Sequence, residues 1–336
     1  MRREGRLKTF YLPMIALVAC LGARAQDTTT NSYTQTNLVS DIAGKTPVVD
    51  ANLVNPWGLS RSSTTPWWVS DAGSGFATII EGTGTVSKET ITVPPASGTG
   101  AGSPTGTVAV GSAFVFVTLD GTISEWTSGA SAVIKVNNSS KGAVYTGVTL
   151  ASDKGTTLLY VANSAGGVEA YTTGFKPVKL AAGAFVDPNV PAGYTPYGIQ
   201  NAGGKLWVTF TSGPGSGNGY VDGFSPAGTL LLSLQHGVWM NEPWGIALAP
   251  ASFGEFSSRV LVGNTGSGEI GAFSATTGTF EGFLKNAAGN AITNSGLWAI
   301  YFGGGGDSGP ATTLYFTAGL DGFKKGLFGA IAANSN

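Results

Sequence analysis

Cysteine is nearly missing from this chain: Cys20 is the single one in 336 residues. No internal disulfide can form, so packing and backbone pairing must hold the fold. Histidine is as scarce. His236, in Gln235-His236-Gly237, is the only one, which excludes a histidine metal cluster and suits a turn better than a catalytic base. Charge is sparse too, at 11% of residues against roughly 25% in ordinary soluble domains. Beyond residue 25 there are 13 Lys and Arg against 18 Asp and Glu, a net charge of −5, and Arg61 and Arg259 are the only arginines. Such a surface lacks the cations that neutralise phosphates, so nucleic acid is excluded as a partner. The apolar stretch of residues 10–21 falls short of the roughly 20 residues that cross a bilayer, so no integral membrane helix is expected. No Cys–His cluster and no nucleophile elbow in a strand–helix setting is present, and Gly213-Pro214-Gly215-Ser216-Gly217-Asn218-Gly219 precedes no helix that could offer phosphate its N-terminus.

The first residues read as a targeting segment. Arg2, Arg3, Arg6 and Lys8 precede the apolar stretch, and Ala23-Arg24-Ala25 follows with small residues at both positions a signal peptidase reads. Cleavage there makes residues 1–25 a signal peptide, with a single domain of residues 26–336 secreted or periplasmic. Leu17-Val18-Ala19-Cys20 offers a second cut, after which a lipid on Cys20 would anchor the chain as a lipoprotein. The sequence leaves both routes open.

Glycine and aromatics are plentiful, with 52 Gly and 8 Trp, and 42% of residues are hydrophobic. They are organised by a repeat. Its clearest copies are Asn55-Pro56-Trp57-Gly58, Thr195-Pro196-Tyr197-Gly198 and Glu242-Pro243-Trp244-Gly245. Weaker ones carry Gly106 and Gly147, and the sixth is Gly296-Leu297-Trp298-Ala299. The glycine or alanine positions fall at 58, 106, 147, 198, 245 and 299. Each copy leads into an apolar strand, a glycine turn and a third strand, and several units add a fourth. This pattern predicts an all-β chain, a six-bladed β-propeller. The last unit lacks a fourth strand, and Asn37-Leu38-Val39-Ser40 is apolar enough to supply it, closing the ring with an N-terminal strand. In the motif, Pro opens a strand without wasting a ladder donor. Trp is expected to fill the space between blades, and Gly to permit close backbone approach. Pro56, Trp57, Gly58, Pro196, Tyr197, Gly198, Pro243, Trp244 and Gly245 are therefore read as structural.

The unit resembles NHL-repeat propellers. Over residues 36–332 the chain is similar to a family of exported bacterial propellers of unknown function, through Leu53-Val54-Asn55-Pro56-Trp57-Gly58, Asp187-Pro188-Asn189-Val190-Pro191-Ala192-Gly193-Tyr194 and Leu314-Tyr315-Phe316-Thr317-Ala318-Gly319. The resemblance implies a six-bladed fold and export. It implies no activity.

Propeller geometry brings residues leading into the motif, and residues leaving the second strand, to one mouth of the central channel. Asn55 and Glu242 hold the first kind of position, Asp71, Asn163 and Asn264 the second. These five are the candidate ligand-binding residues. Their oxygens would suit a hard cation such as Ca²⁺, which related propeller lactonases and lyases use. The competing reading is turn chemistry, because Asp and Asn ahead of Gly bond their own backbone. No cofactor is expected, and a catalytic residue cannot be named. Two functions follow: a non-catalytic binding or scaffolding module for a small molecule, glycan or protein, or a Ca²⁺-dependent hydrolase or lyase.

Overall fold

The computed structural model describes Met1 and residues 31–335. The signal-peptide and lipobox residues, Met1 apart, lie outside the described residues.

Six antiparallel sheets surround one axis, as the repeat predicts. From axis to rim, blade 1 runs Pro56–Ser60, Trp67–Asp71, Phe76–Ile80 and Val86–Thr92. Blade 2 runs Pro104–Val110, Ala113–Thr118, Thr122–Trp126 and Val133–Asn137. Blade 3 is Tyr145–Asp153, Thr156–Asn163, Gly167–Thr172 and Pro177–Val178. Blade 4 is Thr195–Ala202, Lys205–Thr211, Tyr220–Phe224 and Leu230–Ser233. Blade 5 is Pro243–Leu248, Arg259–Asn264, Ile270–Ser274 and Phe280–Phe283. Blade 6 contributes Leu297–Phe302, Thr313–Gly319 and Lys325–Ala333. Its outer strand is Tyr33–Ser40, antiparallel to Lys325–Ala333 from Tyr33 opposite Ala333 to Ser40 opposite Leu327. The expected closure is therefore present, through a strand longer than the sequence suggested. A short parallel addition, Val48–Val49, extends that sheet.

Glycines with positive φ turn the second strand into the third, as at Gly75 (79°) and Gly268 (76°), a conformation that costs glycine no Cβ clash. The core is divided. Six apolar clusters lie between neighbouring blades; in the one between blades 6 and 1, for example, Val39, Tyr315 and Phe328 meet Leu59, Trp67 and Val69. The innermost strands pack in a ring, each on the next and the sixth on the first. Their approach is very close: a Cβ on Gly58 would lie 2.2 Å from the Thr105 carbonyl oxygen, and one on Gly198 2.3 Å from that of Trp244.

A seventh cluster fills the axis, and it corrects the expected place of the motif tryptophans. In all six blades the pairing of first and second strands slips at the motif, between Pro56 and Leu59 in blade 1 and between Pro243 and Gly245 in blade 5. Such a bulge re-aims the residue it carries. Trp57 and its counterparts Tyr197, Trp244 and Trp298 thus meet across the channel instead of lying between blades. Trp57 of blade 1 reaches Tyr197 of blade 4, on the far side of the ring, with ring centroids 6.2 Å apart.

Candidate functional site

At the mouth where the innermost strands begin, the structure sorts the five sequence-selected residues into three settings. Asn55 and Glu242 belong to the throat. Both precede a motif proline with positive φ, 49° and 55°. Asparagine tolerates that conformation, whereas glutamate holds it under strain. Asn55 Oδ1 accepts the Trp298 indole N–H at 2.9 Å. Glu242 is half-buried beside Tyr197, and burial pushes its carboxyl above the usual range, with Tyr197 opposing the shift. Burial and the Glu242 charge raise the Tyr197 hydroxyl in turn. Below them Trp57 and Trp298 are stacked, and the Trp244 indole donates to the Thr146 carbonyl at 3.0 Å.

Asn163 and Asn264 brace the mouth loops. Asn163 Oδ1 accepts the backbone N–H of Val144 and of Ala165, each at 3.0 Å. Asn264 Oδ1 accepts that of Asn241 at 2.9 Å. This is the turn chemistry that Asn before a glycine turn favours. Asp71 stands apart from both groups. It is wholly buried, and no hydrogen bond reaches either of its oxygens among the described residues. Burial drives its carboxyl well above the usual range; the neighbouring Thr78 opposes this in part, and the charge of Asp50 adds to it. Burial without a partner favours the protonated form of such a carboxyl.

The side chain of Asn163 leads to an assembly that the sequence did not reveal. Its Nδ2 donates to Glu169 Oε1 at 2.7 Å. Glu169 Oε2 accepts the hydroxyls of Tyr145 at 2.8 Å and Tyr171 at 2.5 Å, and Asn138 Nδ2 donates to both tyrosine oxygens, at 2.7 and 2.9 Å. Burial, opposed by Asn138, leaves the Tyr145 hydroxyl pushed up to about 12. Asn138, Asn163, Glu169 and Tyr171 floor a cleft of about 400 Å³ whose wall carries Val168, Val178 and Leu180, with Lys141 at its rim, while Tyr145 is buried behind the floor. The residues come from the third blade and the loop before it, so only folding gathers them; a Glu and a Tyr at alternate positions, 169 and 171, were the one local sign.

At the opposite end of the channel lies a cavity of about 250 Å³ lined by Arg61, Gln200 and Tyr301 among others. The Arg61 guanidinium donates to the carbonyls of Phe302 and Gly303 and lies over the Trp67 and Tyr301 rings, 5.5 and 5.6 Å from their centroids. His236 is exposed, stacked on Tyr220 with ring centroids 4.2 Å apart, and its Nδ1 lies 3.0 Å from the Gly219 carbonyl oxygen. Among the described residues no group of three or more His, Cys, Asp or Glu is placed to hold a metal ion, and no helix is long and apolar enough to cross a membrane.

The architecture defines the class as a six-bladed β-propeller. Solved propellers agree: a streptogramin B lyase aligns at TM-score 0.54 and 15% identity, over 90% of this chain and 97% of that one. The apo aldose sugar dehydrogenase of Escherichia coli aligns at 0.57 and 13%, over 90% and 100%. At such identities the likeness concerns the fold. No family model matches the chain. In sequence it is 29% identical, over 222 residues, to an uncharacterised protein of Acanthamoeba polyphaga mimivirus, covering 58% of this chain and 39% of that protein. A second uncharacterised protein of the same virus is 30% identical over 158 residues, 43% of this chain and 37% of that one. The chain thus spans about two fifths of the length of the curated relatives it matches. Those relatives are viral, and they lend no support to a bacterial or an exported family.

Proposed function

We propose that the chain is an exported, non-catalytic binding module, and that its blade-3 cleft takes a small neutral polyhydroxylated ligand such as a glycan unit. The observation that carries this reading is the cleft floor. Asn138, Asn163, Glu169 and Tyr171 are held by one another's hydrogen bonds and by the buried Tyr145 hydroxyl behind them. Groups fixed before a ligand arrives lose little freedom on binding it. Hydroxyls of the ligand find donors and acceptors there, while its C–H faces meet the apolar wall, the usual make-up of a small-molecule site. The exported part of the proposal rests on the leader-like first 25 residues and on the resemblance to exported bacterial propellers.

A Ca²⁺-dependent hydrolase or lyase working at the mouth would require Asn55, Asn163 and Asn264 to share or release carbonyl oxygens that now accept N–H groups. The two functions part in one experiment. The mature protein is titrated calorimetrically with mono- and oligosaccharides, alongside Glu169→Gln and Tyr171→Phe. Saturable binding that weakens at least about tenfold in either variant, the order of one lost hydrogen bond, supports the module. Binding unaffected by both variants, or calcium-dependent turnover of a bound ligand, overturns it.

A further inference from the structure

The motif Asp187-Pro188-Asn189-Val190-Pro191 is not part of the repeat and has no role in the throat or the cleft. It lies in the crossover from Pro177–Val178 of blade 3 to Thr195–Ala202 of blade 4. The crossover is fastened to blade 4 at its apolar end: Phe185 packs on Phe224 with ring centroids 5.4 Å apart, and its N–H donates to the Gly228 carbonyl at 2.9 Å. Two residues on, Asp187 turns inward to 6% exposure. It meets Asp222 of the third strand of blade 4, which is 1% exposed and stands opposite Ser233 in the sheet.

Two carboxyls are thus buried side by side, and neither makes a salt bridge to a Lys or Arg among the described residues. Asp187 is well supplied with donors. Its Oδ1 accepts from the Asn189 backbone N–H at 2.8 Å and from Asn189 Nδ2 at 2.9 Å, and its Oδ2 accepts the Ser233 hydroxyl at 3.1 Å. Asp222 is not: no donor reaches its Oδ2, although that atom is buried. A like-charged pair in such a place must take up a positive charge, either a proton or a cation. Burial first, and the Asp187 charge beside it, push the Asp222 carboxyl up to about 7, with Ser233 opposing the shift.

We propose that Asp187 and Asp222, together with Ser233 and the Asn189 side-chain oxygen, form an oxygen-ligand site for one divalent cation of the calcium class, which ties the crossover to blade 4. Every side chain there offers a hard oxygen, the donor set that calcium takes, six to eight at about 2.3–2.6 Å with waters included. Asp187 and Asn189, two apart, already share a tight turn, and rotation of the Asn189 amide turns its oxygen to the carboxylates in place of its NH₂. Asn189 and Ser233 are exposed, so water and the ion reach the pair from outside. The site shares no residue with the blade-3 cleft, and the two proposals succeed or fail separately.

The test uses the whole mature chain, stripped with EDTA and titrated with CaCl₂ by calorimetry at pH 7.5, with thermal melts in parallel. One calcium per chain and a rise in Tm are expected. Asp222→Asn should lose both while still folding, since its amide can donate to Asp187 where the carboxylate could not. Calcium binding that survives in Asp222→Asn places the ion elsewhere and overturns the site. So does a wild-type chain that binds no calcium up to millimolar concentration, the result expected if the two acids share only a proton.

Discussion

Trp57 of the first blade stacks on Trp298 of the last, with ring centroids 3.7 Å apart and planes 16° from parallel. The contact joins the first and last blades at the axis, where the ring closes. Thr317 reinforces it, accepting the Ala299 N–H at 3.0 Å and donating to the Trp57 carbonyl at 2.8 Å. The ring is therefore sealed twice, at the rim by the N-terminal strand and at the axis by two indoles.

Truncating either indole should be costly. Trp57 and Trp298 are 6% and 2% exposed, so each Trp→Ala leaves a cavity on the axis and should cost about 3–5 kcal/mol in urea denaturation. Trp244 is only half-buried, and its replacement should cost less. The double variant Trp57→Ala with Trp298→Ala should cost less than the sum of the two, because the rings touch. Additive losses would mean that the stack contributes nothing of its own.

Closure at the rim gives a second expectation. Removing residues up to Ser40 exposes the edge of Lys325–Ala333 and strips its ladder of partners. Open edges recruit other chains. The truncated protein should melt at lower temperature and aggregate, as light scattering during the melt will record. A soluble protein with unchanged Tm would show that the ring holds without the N-terminal strand.

Asp71 predicts a pH dependence of fixed sign. Its folded carboxyl is raised by burial, so the folded chain binds a proton that the unfolded chain has already released. The contribution is whole below about pH 4, the unfolded carboxyl's value. It is lost progressively as pH rises toward the folded value. Unfolding free energies between pH 4 and pH 8 should therefore fall more steeply in the parent than in Asp71→Asn, measured in EDTA. Asp222 adds a slope of the same sign up to about pH 7, common to both proteins. Equal slopes would mean that Asp71 ionises as freely folded as unfolded.

Processing is open to direct measurement. Intact-mass analysis of protein recovered from an export-competent host should give a chain beginning at Gln26, as the Ala23-Arg24-Ala25 site implies. A diacylated Cys20 would make the protein a lipoprotein instead, and an uncut chain would remove the case for export.

The strand order was legible in the sequence because turns and strands are local. Each glycine turn and apolar run is read from a few neighbouring residues, and six copies reinforce one another. The innermost glycines were legible for the same reason, since crowding at the axis recurs in every unit. Asn163 and Asn264 could be read as turn residues from the glycines that follow them. The direction of the motif tryptophans could not. A slip in pairing at the bulge turns a side chain from the blade interface to the axis, and apolar patterning is the same for both burials. The cleft and the acid pair were equally hidden. Tyr145 and Glu169 meet at 2.8 Å across 24 residues, and Asp187 faces Asp222 from a crossover outside the repeat. By itself the sequence determined which segments become strands and in what order they assemble around the ring. Only the tertiary structure decided which polar side chains share a dry place, because that follows from where the closed ring excludes water, a property no short segment carries.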